Sequence, residues 1–103
     1  MSLPLNKVLD IINKHATLEK DLSSSNLDSK TFAQKSKEYS DLNEIIKHAL
    51  EYSNFKNSRD ELEKIISDTN NDEEMRDLAR SELSDLEKRH ENNETKLKLF
   101  MLP

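Results

Sequence analysis

From Ser29 to Asp68, about forty residues pass without a Gly or a Pro, and apolar side chains recur through them every three or four positions. This stretch constrains the fold more than any other, because its period is helical and nothing in it forces a stop. Phe32, Tyr39, Leu42, Ile46 and Ala49 fall on one stripe, and Tyr52, Phe55, Leu62 and Ile66 on a second, slightly rotated one. Such drift is what a 3.5-residue seam produces on a 3.6-residue helix. A single helix over 29–67 would be roughly 60 Å long at 1.5 Å per residue. It cannot bury its stripe on itself, so the segments before and after it are expected to fold back along it. The pattern predicts an all-α protein, an elongated three-helix antiparallel bundle with a long central helix.

Composition agrees. Gly is absent, the two Pro stand at positions 4 and 103, and 36% of residues are charged. Leu, Ile, Val and Phe make up about a quarter of the chain, which supports a thin seam between helices and little more. The absence of Cys excludes a disulfide framework, a thiolate metal site and a thiol nucleophile. No apolar run approaches the ~18 residues of a membrane span, and the start lacks a basic-then-apolar leader pattern, so a cytoplasmic setting is expected. The formal net charge of −5 argues against direct nucleic-acid binding, which needs clustered Lys and Arg.

The first helix is expected over about 4–23, with Pro4 in its first turn and Leu5, Val8, Ile11, Ile12, His15, Leu18 and Leu22 on its inner face. Ser23-Ser24-Ser25-Asn26 ends it, because short polar side chains compete for backbone hydrogen bonds. Asp28 is the expected cap of the central helix, with Leu27 and Phe32 placed to form a hydrophobic staple. Ser53–Ser58 is a weak helix former, and Ser58 with Glu61 has capping-box spacing, so a break there would give four helices. With neither Gly nor Pro to mark a stop, the pattern favours continuity. Asp60 and Lys64 are spaced for an i,i+4 pair just beyond.

The third helix is expected over 72–100, capped by Asn71 with Glu74 reaching back. Its buried face would comprise Met75, Leu78, Ala79, Leu83, Leu86, Leu97 and Phe100, with Asp85–Arg89 and Glu94–Lys98 as outer pairs. Pro103 disfavours helical dihedrals at Leu102, so the helix should stop by Met101.

Few residues suggest chemistry. His90 and Asn93 interrupt the apolar face of the third helix, and the plainer reading is a polar step that sets register. Glu87 and His90 form an E-x-x-H, but a di-iron bundle needs a second copy and two further inward Glu, which the sequence lacks. His15 and His48 have no partner at ligand spacing and are expected at the surface or its boundary. A chain without Gly holds no phosphate-cradling loop and no nucleophile elbow. Lys88, Arg89, Lys96 and Lys98 could form a small positive patch, although the helix macrodipole explains them equally well. No catalytic, cofactor-binding or metal site is assigned, and the chain is not expected to be an enzyme.

Several patches resemble a known family: Leu27-Asp28-Ser29-Lys30-Thr31-Phe32, Ser36-Lys37-Glu38-Tyr39-Ser40-Asp41-Leu42, Asp72-Glu73-Glu74-Met75-Arg76-Asp77-Leu78-Ala79-Arg80-Ser81-Glu82-Leu83, and the ending Lys96-Leu97-Lys98-Leu99-Phe100-Met101-Leu102-Pro103. They are similar to the amino-terminal domain of bacterial class I peptide chain release factors, nearer the paralogue that reads UAA and UAG, with Met101 where the family carries leucine. The resemblance covers nearly the whole chain. It implies an elongated, non-catalytic helical domain, the amino-terminal fragment of a longer protein. As partners it implies the ribosome, through proteins at the stalk base of the large subunit, and the methyltransferase that modifies the factor's catalytic Gln. The codon-reading tripeptide and the Gly-Gly-Gln of peptidyl-tRNA hydrolysis would lie outside this chain. A monomer is expected, with no cofactor and no membrane association. Two rival readings from the residues alone are a stand-alone helical scaffold and a coiled coil that self-associates through Leu99, Met101 and Leu102.

Overall fold

The helices of this chain start and stop on short local signals, while their bend and their packing are set at longer range. The structure, a computed structural model, describes residues 3–24 and 26–103. Among them are four helices: α1 (Leu5–Leu22), α2 (Ser29–Asn43), α3 (Ile46–Ser67) and α4 (Glu73–Phe100). Ser25, within the turn expected from sequence, lies outside the described residues, as do Met1 and Ser2.

Pro4 caps α1 in an extended conformation. At the other end the Ser23 hydroxyl donates back to the Glu19 carbonyl at 2.9 Å, which also accepts from the Ser23 backbone N–H at 3.2 Å. Asp28 caps α2 as expected, accepting from the Thr31 N–H at 2.7 Å, while Phe32 is exposed. The cap of α4 is Asp72, one residue later than expected, and its carboxylate accepts from the Met75 N–H at 2.8 Å. Asn71 instead donates to the Ile65 carbonyl at 3.0 Å, and Arg76 Nε to the Ile66 carbonyl at 2.8 Å. These two side chains satisfy carbonyls at the end of α3 and tie the α3–α4 turn closed. Helix α4 ends at Phe100, as Pro103 requires.

The long central helix is not continuous. It is interrupted at Glu44–Ile45, and the weak run Ser53–Ser58 lies unbroken inside α3. Both interrupting residues keep right-handed helical dihedrals, but the Ile45 N–H reaches the Leu42 carbonyl at 3.0 Å, an i→i−3 bond that tightens the turn. No Gly or Pro marks this break; beside it the Asn43 side chain is bonded to His15 on α1 at 2.7 Å. The tightened turn rotates the seam, so Ile45 is buried where the stripe predicts Ile46.

Cross-helix bonds give the register. Asp21–Lys35 and Lys14–Glu38 pair α1 with α2, and the Tyr52 hydroxyl donates to the Leu3 carbonyl at 2.9 Å, so α1 runs antiparallel to α2 and to the start of α3. Glu51–Arg89, His48–Asn93 and Ile66–Arg76 set α4 antiparallel to α3. Val8, Leu18, Leu42, Ile45, Ala49, Tyr52 and Leu97 form the core at the junction of these two pairs, with Tyr39, Ile11 and Ile12 packed against it.

A three-helix bundle along the whole spine is therefore not what forms. Helix α1 covers α2 and only the beginning of α3, and beyond Tyr52 the α3–α4 pair continues without it. Met75 and Leu78, expected on a buried face, are exposed as a result, and Leu5 and Phe100, also expected to be buried, are exposed elsewhere in the molecule. The molecule measures 60 × 30 × 18 Å with a radius of gyration of 18.2 Å, against roughly 13 Å for a compact domain of this length.

Candidate functional site

The residues that interrupt the apolar face of α4 lie in a polar seam against α3. Asn93 is 4% exposed and uses both ends of its amide. Its Nδ2 donates to Glu51 Oε1 at 2.9 Å, leaving Oδ1 to accept from His48 Nδ1 at 2.7 Å, so the His48 proton sits on Nδ1. Arg89 Nε donates to the same Glu51 oxygen at 3.1 Å. The hydrogen bond from Asn93, with Arg89 adding to it, holds the Glu51 carboxyl below the ordinary glutamate range despite partial burial.

His90 lies one turn away, between two aromatic rings. Its centroid is 4.7 Å from Tyr52 and 3.7 Å from Phe55, both stacked, and the Arg59 guanidinium lies over the Phe55 ring at 5.6 Å from its centroid. Burial pushes the imidazole pKa down, and His90 Nδ1 has no hydrogen-bond partner. A neutral ring wedged between aromatics can fill space and fix the spacing of the helices. Glu87 of the E-x-x-H is exposed, and among the described residues no three His, Cys, Asp or Glu are grouped as a metal site.

The sequence reading missed the roles of His15 and His48. Each is half-buried and bonds across a helix pair to an Asn, His15 to Asn43 and His48 to Asn93, both at 2.7 Å. His15 also stacks on Tyr39 at 4.7 Å. Helical spacing alone holds no signal for these partners, because they come from other elements.

Half of the expected positive patch is paired with acid. Arg89 is paired with Glu51, and Lys98 with Glu94 at 2.8 Å, while Lys88 and Lys96 are exposed. Asp85 does not take Arg89, and Asp60 is met by Lys56 and Arg59 in place of Lys64. Leu99 and Leu102 are 63% and 67% exposed at the end of α4, and Met101 is half-buried. The arrangement offers surfaces for recognition.

Residues 11–103 match the family model described as the PCRF domain. Peptide chain release factor 1 of Pelagibacter ubique is 52% identical over 98% of this chain and 28% of its own length. Peptide chain release factor 1 of Wolbachia pipientis is 38% identical over 95% of this chain, and that of Bartonella quintana 33% over all of it, again covering 28% of each relative. The chain thus spans a little over a quarter of the length of these relatives. No solved structure gives a significant match. With the family model aligned to nearly every residue and half the positions shared with one relative, this chain belongs to the peptide chain release factor family, whose PCRF domain it carries.

Proposed function

We propose that this chain is the amino-terminal positioning arm of a translation termination factor acting in the cytoplasm at UAA and UAG stop codons. It performs no catalysis itself. As a monomer it docks on proteins at the stalk base of the large ribosomal subunit and on the methyltransferase that modifies the factor's Gln. The observation that carries the reading is the identity to release factor 1 sequences across 98% of the chain. A rod 60 Å long suits an arm that spans a distance, and a net charge of −5 favours protein contacts over bare RNA.

The test is competition. Titrating the 103-residue chain into a reconstituted termination reaction driven by the full-length Pelagibacter release factor 1 should slow peptide release in proportion to its excess, and adding purified stalk-base proteins should relieve the inhibition. Unchanged release at every concentration would count against the reading.

The exposed Leu99, Phe100 and Leu102 favour one alternative, a module that self-associates through this end. A monomer by light scattering at high concentration removes it.

A further inference from the structure

Beyond the reach of α1, helices α3 and α4 have only each other, and a groove of about 530 Å³ opens along their seam. Leu62, Ile65 and Leu86 form its floor, and Glu61, Glu82 and Asp85 stand along its rims. Among the described residues none of these three carboxylates takes part in an ion pair or a hydrogen bond. Arg89, which also lines the groove, is held by Glu51 and does not offset them. The groove continues past its own walls. Stepping back along α4 from Asp85 and Glu82 at helical spacing reaches Leu78 and Met75, which are 61% and 52% exposed. The apolar floor therefore runs onto open surface toward the α3–α4 turn, bordered by unpaired acid.

We propose that this face docks a basic amphipathic helix of a protein partner. Its apolar residues at i, i+3, i+4 and i+7 would settle on Leu62 of α3 and on Leu78 and Leu86, which are spread over about 12 Å of α4, and its Lys or Arg would face Glu61, Glu82 and Asp85. A helix laid here supplies the third layer that α1 provides only at the other end. Charge selects the occupant. Covering the groove takes water from three carboxylates, a cost that cations offset best, and the same carboxylates repel nucleic-acid or lipid phosphates. The net charge of −5 likewise disfavours a second copy of the chain. The inference rests on the groove alone and stands apart from the termination reading.

The test uses the 103-residue chain and a capped Leu/Lys amphipathic peptide of about 14 residues, roughly 20 Å of helix. Amide chemical shifts should move at Leu62, Ile65, Leu78 and Leu86 on titration. Glu82→Lys with Asp85→Lys should weaken binding about tenfold or more, and Leu78→Ser, which leaves the charge intact, should also weaken it measurably. Asp10→Lys with Glu19→Lys, an equal charge change on the remote α1, should leave the affinity within about twofold. Circular dichroism confirms that each variant keeps its helices. Shifts that map elsewhere, equal losses from the two charge-reversed pairs, or no response to Leu78→Ser would overturn the proposal. So would occupation of the face by a second copy, seen as concentration-dependent dimers that Leu78→Ser abolishes.

Discussion

Replacing Asn93 by Asp changes a single NH2 to an oxygen at the most tightly bonded point of the α3–α4 seam. The Oδ1 contact from His48 can persist, but the donor to Glu51 is lost and two carboxylates face each other across 2.9 Å. A hydrogen bond to a charged group contributes about 1.5–3 kcal/mol, and because the Glu51 side chain is 35% open to solvent the lower end of that range applies. With repulsion added, the loss at neutral pH should be about 2 kcal/mol, lowering the urea midpoint by roughly 1 M at an m value near 2 kcal/mol/M. The pH dependence is the sharper check. In the wild type Glu51 titrates below its ordinary value, so its contribution is complete above the unfolded glutamate pKa and is lost as pH falls through the lower folded one. In the variant the paired carboxylates titrate upward, and their mutual penalty disappears on protonation. Both effects shrink the difference between the proteins in acid. Urea unfolding at pH 7 and again near pH 3.5 should show most of the gap closing. An equal gap at both values would mean that the Glu51 carboxylate plays no part in the seam.

Three further outcomes follow from the packing. Leu97→Ala, at a fully buried position in the junction core, should cost about 2–5 kcal/mol by denaturant unfolding, and a cost below 1 would misplace the core. Asp72→Ala should remove the α4 cap at a cost of about 1 kcal/mol, whereas Asn71→Ala should loosen the tie to α3 without shortening α4; amide shifts at Met75 separate the two. His90 titrates below its ordinary 6.5 because it is buried, with Glu94 and Glu91 of α4 and Arg59 of α3 as its charged neighbours. The unfolded chain therefore binds the proton first, so stability should fall as pH drops from 7 through about 6.5 and toward the lower folded pKa. His90→Phe should flatten that stretch of the stability profile, and an unchanged slope would contradict the burial of the ring.

The sequence made the helix ends legible where one residue type has one role, as at Asp28 and Pro103, and less so at Asn71-Asp72, where adjacent residues are both good caps. The bend at Glu44–Ile45 was illegible because no backbone breaker stands there; beside it are the His15–Asn43 bond and the burial of Ile45 in place of Ile46, both made between helices. Asn93 and His90 could be placed on the inner face of α4 by spacing alone. Their partners Glu51, His48 and Phe55 could not, because the register between antiparallel helices is set by packing at the junction and the sequence does not print it. Met75 and Leu78 fall on the expected core stripe and yet are exposed for the same reason. Helical spacing reveals a stripe but not whether another helix arrives to cover it.

That uneven cover also distributes resistance to opening along the rod. Amide protons near Ala49 and Leu97 can exchange with solvent only when the junction itself comes apart, so they should report the global unfolding reaction. Those of Ile65 to Leu83 need only the two-layered end of the hairpin to separate, and Asn71 and Arg76 are the side chains that hold it shut. The rod is in this sense stiff at its root and soft at its tip. A tip that opens without disturbing the root can reshape itself around what it touches.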